Sequence, residues 1–383
     1  MNKTRVIILF GGRSAEHEVS ILSARNVYLA LDKTRFQPLL IGIDKQGRWR
    51  QEPPETLLAA QGDPRNLRLV AAGAEVPVPV RPEQASDALA TTTAPGTLES
   101  GQSGNALAIL RRDDVIFPVL HGTYGEDGTV QGLLELADVA YVGPGPLGSA
   151  VGMDKEVAKR LLSQAGIPVV PWRLVTAATL RREGEALLDR VAELGFPLFV
   201  KPSNAGSSVG VSKVKDRSAL LPALKLALQF DTKVLCEAAV DAREIECAVL
   251  GNDDPQASQP GEIVVTHADG FYSYDAKYVD ADGSYPKVPA DIPADVATRI
   301  QSLSIATFVT LDLAGLARVD FFLDRKTSAL YVNEVNTIPG FTAISMYPKM
   351  WEASGLPGPA LVTRLIELAI ERRNARRALK TSV

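Results

Sequence analysis

Two short runs toward the carboxyl end carry the densest chemistry in this sequence. Residues 317–323 (ARVDFFL) alternate with period two, which places Arg318 and Asp320 on one face of a strand. After a loop at 324–328, the run LYVNEVN at 330–336 places Glu334 and Asn336 on one face as well. Paired as a hairpin, the two strands let Asp320, Glu334 and Asn336 converge. Three hard oxygen donors without His or Cys suit Mg2+, above all an ion bound together with a nucleotide phosphate. Arg318 beside them is placed to stabilise developing negative charge. The bland alternative is a pair of edge strands with solvated polar faces. The TIPG turn at 337–340, directly after the acidic run, counts against it.

A second cluster lies at residues 199–211 (FVKPSNAGSSVGV). Lys201 leaves a strand, and Gly and Ser residues follow as backbone and hydroxyl donors, the ingredients of a phosphate site. It is not a P-loop, because no GK[ST] follows the glycines. Residues 271–278 (FYSYDAKY) read either as a surface loop with packed tyrosines or as a lid bringing another phosphate lysine, Lys277. GGRSAEHEVS at 11–20 marks a strand-to-helix turn, where free N–H groups and the helix dipole favour an anion. A plain tight turn explains Gly11-Gly12 equally well. Glu16, just inside the helix entrance, either complements the dipole or pairs with a bound ammonium group. LHGTYGEDGT at 120–129 follows a buried strand at the mouth of a sheet. His121 there divides evenly between a structural and a functional reading. Glu126 and Asp127 resemble metal ligands only loosely, and the glycines read as close-approach backbone.

These segments need elements to hold them. The apolar run at 5–10, a helical stretch at about 14–31 and a strand at 38–43 form a β-α-β unit. Further strands are expected at 114–120, 197–201, 211–214, 234–237, 244–250, 261–266, 317–323 and 329–335. Helices are expected at 130–137, 153–166, 180–194, 216–230, 293–311 and 359–378. The sequence thus begins as α/β and ends as α+β. Residues 71–107, rich in Ala, Thr, Pro, Gly and Ser, read as an irregular insertion. The basic end ERRNARRALK reads as a solvated helix end with a favourable dipole interaction.

Length and composition set the outer bounds. At 383 residues the chain is expected to hold two or three domains. The net charge of −4 gives no global attraction for nucleic acid. The two cysteines, Cys236 and Cys247, cannot build a disulfide framework and read as small buried residues of a reducing compartment. The start MNKTRVIILF has too short an apolar run for a signal peptide, and no run approaches the ~18 apolar residues of a membrane span. A soluble cytoplasmic protein, with neither nucleic acid nor membrane as partner, is the expectation.

Taken together, GGRSAEHEVS, HGTYGEDGTVQG, GMDK, VKPSNAGSSVGVSKV, DAKY and NEVNTIPGFT resemble signatures of the ATP-grasp superfamily and, within it, of the D-alanine–D-alanine ligases. The resemblance runs through 5–43 and 114–350. It implies an ATP-grasp fold with three parts. They are an N-terminal Rossmann-like (pre-ATP-grasp) α/β domain at 1–145, a central ATP-grasp subdomain at 146–237 and a C-terminal ATP-grasp domain at 238–383. It also implies ATP-dependent ligation of two D-alanines through an acyl phosphate, releasing ADP and phosphate, for peptidoglycan precursor synthesis. By similarity, Lys155 and Lys201 meet the α- and β-phosphates, Lys277 meets the γ-phosphate, and Ser208 joins the ATP set. Glu237, Ala238, Ala239 and Val240 line the adenine, and Glu244 meets the ribose. Asp320, Glu334 and Asn336 match positions for two Mg2+ ions, with Mn2+ the alternative. Glu16, Ser207 and Tyr278 match a hydrogen-bonded set around the first D-alanine, with His121 also on the substrate side. Arg318 and the Gly340 backbone match the oxyanion site. Ser345 and Met346 match positions holding the second D-alanine's carboxylate. The family suggests a homodimer.

Two positions depart from the family pattern. The adenine segment lacks the lysine and bulky aromatic that many members carry, and Met346 stands where leucine is common. Tyr278 favours an amine over a hydroxyl acceptor, since relatives that make D-alanyl-D-lactate lack a tyrosine there. Two other readings compete: a ligase for other amino acids or D-lactate, and a nucleotide-binding regulatory protein with a retired active site. The intact Lys201, Lys277, Arg318, Asp320, Glu334 and Asn336 argue against the second.

Overall fold

The computed structural model describes residues 3–60, 75–76, 110–266 and 284–380. The 271–278 segment with Lys277 and Tyr278, and nearly all of 71–107, lie outside the described residues.

The first apolar run becomes β1 (Thr4–Gly11). It pairs in parallel with β2 (Phe36–Ile43) on one side and with β5 (Val115–Val119) on the other. Val6, Ile8 and Phe10 face one apolar core while Ile7 and Leu9 face another. A strand covered on both faces has to be continuously apolar, and VIILF is. β3 (Trp49–Glu52), β4 (Glu75–Val76) and β6 (Ala140–Tyr141) complete the order β4-β3-β2-β1-β5-β6. The expected helix at 14–31 is the helix His17–Ala30, which covers β1 and β5.

The second sheet is antiparallel, in the order β7-β10-β8-β9. Its strands are β7 (Trp172–Thr176), β8 (Leu198–Pro202), β9 (Ser212–Val214) and β10 (Lys233–Ala238). The periodicity did not single out β7. The helix expected at 180–194 is two helices, Ala177–Glu183 and Glu185–Ala192, separated at Gly184, whose φ of 52° suits glycine. The helix expected at 153–166 is Lys155–Gln164, and a helix the sequence did not single out, Pro146–Met153, precedes it. Pro146–Met153 ends and Lys155–Gln164 begins at Asp154, whose extended backbone separates the two while its side chain caps the second.

The third sheet runs β14-β13-β11-β15-β16, with β12 paired off β11. Its strands are β11 (Ala242–Gly251), β12 (Gln256–Ala257), β13 (Gly261–Val265), β14 (Ser284–Lys287), β15 (Gly315–Asp324) and β16 (Leu330–Asn336). One face packs on the helix Ala294–Thr310. The other face shares a core with the first sheet, filled by the helices Met346–Ala353 and Gly358–Arg377. Phe341 joins the two units, meeting Phe117 edge-on at 6.0 Å and Tyr347 at 5.6 Å.

The basic tail is exposed over much of its length, as its composition led us to expect, but its arginines are anchored rather than free in solvent. Arg372 donates to the carbonyls of Gly143 and Tyr141 and lies 4.4 Å from the Tyr141 ring centroid. Arg377 grips Asp138 with two side-chain hydrogen bonds, Arg376 pairs with Glu135, and Arg373 reaches the Arg112 carbonyl. The charges follow an exposed helix end, but the loop and helix of the first unit supply their acceptors. Among the described residues no helix is long and apolar enough to cross a membrane.

Two outcomes follow from this packing. Arg372→Ala removes charge-assisted hydrogen bonds and a cation–ring contact. It is expected to lower unfolding free energy by about 2–4 kcal/mol in urea titration. Cys236 and Cys247 are buried free thiols, pushed up to about 12 and about 11, chiefly by desolvation. Ellman's reagent should leave both unmodified in the native protein and label both after denaturation.

Candidate active site

The hairpin of β15 and β16 is the floor of the site. Asp320 stands opposite Glu334, and Arg318 opposite Asn336. Between Asp320 and Phe321 the register slips, so that Phe321 faces Val332 and Asn333 is the extra residue of a bulge. The slip leaves both Asn333 and Glu334 partly exposed while Val332 and Val335 stay buried. The Arg318 guanidinium forks onto Asp320 with two bonds of 2.7 Å, and its Nε lies 3.0 Å from Glu246 Oε2 on β11. Burial opposes the charge on Arg318. Asp320 and Glu246 overcome that penalty and hold its pKa well above the ordinary value. Asn336 Nδ2 donates to Asp320 Oδ2 at 2.9 Å.

The lysines come from two other elements. Asp154 caps the helix Lys155–Gln164, accepting from the Glu156 and Val157 N–H groups, from Ser203 Oγ at 2.6 Å and from Lys233. It thereby joins that helix to the start of the Gly/Ser loop. Lys155 occupies the first helical position, where the helix dipole disfavours a cation. Glu334 Oε2 at 3.2 Å and the Ala205 carbonyl at 2.9 Å hold its ammonium group there. Lys201, on β8, pairs with Glu237 Oε2 at 2.8 Å and donates to Asn333 Oδ1 at 3.2 Å. Glu237 is 3% exposed and its carboxyl lies below the usual range, because Lys159 and Lys201 outweigh its desolvation. The Ala238 and Ala239 N–H groups bond the Pro171 and Pro197 carbonyls, which shapes the end of β10. Val240 follows partly exposed, and Glu244 on β11 lies opposite Phe322 and Ile263, half-buried.

The first unit supplies the opposite wall. Ser207 Oγ donates to Glu16 Oε1, so the acid at the helix entrance is tied across to the Gly/Ser loop. Ser207 and Ser208 both have left-handed backbones, φ 51° and 57°, a strained conformation for serine held in a loop of the site. Gly122 has φ 73°, a backbone that favours glycine, and a Cβ there would stand 2.8 Å from Glu16 Oε2. His121 is 5% exposed with both ring nitrogens bonded. Nδ1 donates to the Ile338 carbonyl at 3.0 Å, and Nε2 lies 3.1 Å from Ser23 Oγ. Burial, with Arg318 repulsion adding to it, lowers its pKa and keeps the ring neutral. Ser23 Oγ accepts from the Phe341 N–H as well, binding the helix His17–Ala30 to the turn after β16.

Of the last candidates, Gly340 is crowded by Ser345, whose Oγ would lie 2.9 Å from an added Cβ. Ser345 Oγ bonds Thr342 N–H at 2.9 Å. Met346 is buried in the shared core against Gly261. Among the described residues no three His, Cys, Asp or Glu side chains group as a metal site. The hairpin's set is two carboxylates and one amide oxygen, a donor chemistry that fits Mg2+. Polar residues of the site missed in the sequence include Glu246, Asn333, Asp154, Lys159, Lys233 and Ser23. Glu246 had a readable signal, since it shares a strand face with Glu244.

The comparisons with known proteins agree along the whole chain. The family model described as the D-ala D-ala ligase N-terminus matches residues 5–144, and that for the C-terminus matches 161–367. The D-alanine–D-alanine ligase A of Salmonella typhimurium is 48% identical over 383 residues, covering 100% of both chains. The D-alanine–D-alanine ligase of Shouchella clausii is 49% identical, covering 100% of this chain and 99% of its own. The chain belongs to the D-alanine–D-alanine ligase family. Among solved members, the Coxiella burnetii D-alanine-D-alanine ligase superposes with a TM-score of 0.78 at 38% identity, over 98% of this chain and 97% of its own. The VanG D-Ala:D-Ser ligase of Enterococcus faecalis gives 0.79 at 34% identity, over 96% and 100%. The mixed α/β architecture is the ATP-grasp fold of this family, as the sequence led us to expect.

Glu126 is a buried carboxyl in this wall. It accepts from the Gly122 N–H at 2.7 Å and the Ile338 N–H at 3.1 Å. Desolvation first, then the nearby Glu16 charge, raise its pKa from 4.5 to about 8. A raised carboxyl keeps its proton in the folded state while the unfolded chain loses it. Its stabilising contribution is therefore full below pH 4.5 and is lost as pH rises through about 8. Carbon NMR of carboxyl-labelled glutamate should show one resonance titrating near pH 8 that is missing from Glu126→Gln.

Proposed function

We propose that this chain ligates two D-alanines to D-alanyl-D-alanine with ATP, releasing ADP and phosphate, for peptidoglycan precursor synthesis. The observation that carries the reading is the convergence of Lys155, Lys201, Arg318, Asp320 and Glu334 where the three sheets meet, in a chain of this family. Each sheet supports one domain of the division 1–145, 146–237 and 238–383.

In this reading Lys155 and Lys201 hold the α- and β-phosphates, and Lys277 and Ser208 complete the phosphate contacts. Glu237, Ala238, Ala239 and Val240 border the adenine, and Glu244 the ribose. Asp320, Glu334 and Asn336 are the residues that would hold Mg2+ or Mn2+, which withdraws charge from the transferring phosphoryl group. Glu16 receives the ammonium group of the first D-alanine, within a set shared with Ser207 and Tyr278, and His121 holds the wall around it. The carboxylate of that D-alanine attacks the γ-phosphate and ADP departs, leaving an acyl phosphate. The amine of the second D-alanine attacks the acyl carbon, and phosphate leaves with the former carboxylate oxygen. Arg318 and the Gly340 N–H face the oxyanion that forms. Ser345 and Met346 border the second D-alanine, Ser345 with a hydroxyl and Met346 with its backbone, since its side chain is in the core. A homodimer in the cytoplasm is the working state we infer.

The test is phosphate release from Mg-ATP with D-alanine, with L-alanine, and with neither. Turnover that depends on D-alanine is expected; its absence sinks the reading. Asp320→Ala and Glu334→Ala should each abolish turnover, and a near-normal rate in either removes the hairpin from the chemistry. Tyr278→His should raise the use of D-lactate relative to D-alanine, and an unchanged ratio takes Tyr278 out of acceptor choice.

A further inference from the structure

Lys159 follows Lys155 by four residues on the helix Lys155–Gln164, so both stand on one face. It is 1% exposed, among the largest fully buried side chains among the described residues. Its Nζ lies 3.1 Å from Glu237 Oε1. The other oxygen of the same carboxylate, Oε2, lies 2.8 Å from Lys201 Nζ. Glu237 is thus shared between two lysines, one sealed inside and one beside the site. Lys159 Nζ and Glu237 Oε1 form a buried pair of opposite charges.

A buried ammonium is costly, and an apolar residue at this helical position would pack as well. Burial first, and then repulsion from Lys201, push the Lys159 amine down, against Glu237 and Glu334. The consequence of tolerating it is electrostatic. A Glu237–Lys201 pair taken alone is neutral and would present a phosphate with a cation already satisfied. With Lys159 on the far oxygen, two cations share one carboxylate and the trio keeps one positive charge. Lys201 also stays in place, because Glu237 is fixed from behind.

We propose that Lys159 is a positioning residue for nucleotide binding: it offsets Glu237 so that Lys201 keeps its charge and its place for an ATP phosphate. The inference rests on the nucleotide part of the function proposed above. It assigns Lys159 no contact with ligand.

The experiment is calorimetric binding of the β,γ-imido analogue of ATP with Mg2+ to the full chain, its Lys159→Met variant and the Lys159→Met/Glu237→Gln pair. Thermal unfolding of each serves as the folding control. Lys159→Met should weaken analogue binding by about tenfold or more while the KM for D-alanine stays within about threefold. Removing the stranded carboxylate in the double variant should recover at least about threefold of the loss. A merely structural role would lower both affinities together and would not be rescued by neutralising Glu237. If Lys159→Met binds like the wild type, or the double variant binds no better than the single, the proposal is overturned. If Lys159→Met fails to fold, Lys159→Gln, which removes the charge and keeps a polar side chain, takes its place in both comparisons with the same outcomes deciding. A wild-type chain that binds the analogue without D-alanine-dependent turnover refutes the ligase reading and leaves this one standing.

Discussion

A charge held out of bulk water must be met by an opposite charge or by well-placed dipoles. That requirement organises this molecule. Lys155 from a helix meets Glu334 from β16, Lys201 from β8 meets Glu237 from β10, and Arg318 from β15 meets both Asp320 and Glu246. The Lys155–Glu334 pair and the Lys201–Asn333 hydrogen bond cross from the second unit to the third sheet. The site therefore exists only when these parts are docked, and docking them leaves its cations already oriented. An incoming polyanion exchanges carboxylates for phosphates in a place that is half prepared for negative charge.

The remaining wall is built on hydrogen bonds rather than ion pairs. Ser23 links His121 and the Phe341 N–H, Glu126 links the Gly122 and Ile338 N–H groups, and Ser207 reaches Glu16. The Ser23–Phe341, Glu126–Ile338 and Ser207–Glu16 bonds join the first unit to an element of another, while the Ser23–His121 and Glu126–Gly122 bonds brace the first unit itself. His121 shows how a histidine at a sheet mouth can be structural and local to the site together: its ring is neutral, buried and bonded at both nitrogens. The left-handed backbone of Gly122, φ 73°, calls for glycine, and the approach of the Glu16 carboxylate adds to that requirement.

Much of this was legible in the chain because its physics is periodic. β1 is a bare apolar run, and β15 alternates buried and half-buried residues, so the face of Arg318 and Asp320 followed from spacing. The bulge at Asn333 did not, since a one-residue register slip leaves no trace in composition. β7 (WRLVT) mixes polarities over five residues and offers no period strong enough to read. The sequence does not single out Lys159, because burial of a charge depends on a partner from distant Glu237. Arg372 misled for the same reason: its acceptors, the carbonyls of Tyr141 and Gly143, lie more than two hundred residues away.

At the centre of the account is a cradle that activates a carboxylate by moving a phosphoryl group onto it. The most direct measurement follows the oxygen atoms. D-alanine labelled with heavy oxygen in its carboxylate is turned over with unlabelled Mg-ATP, and the released phosphate is weighed by mass spectrometry. Transfer through an acyl phosphate places one carboxylate oxygen in each phosphate. Phosphate released without label, alongside formation of the dipeptide, would contradict it.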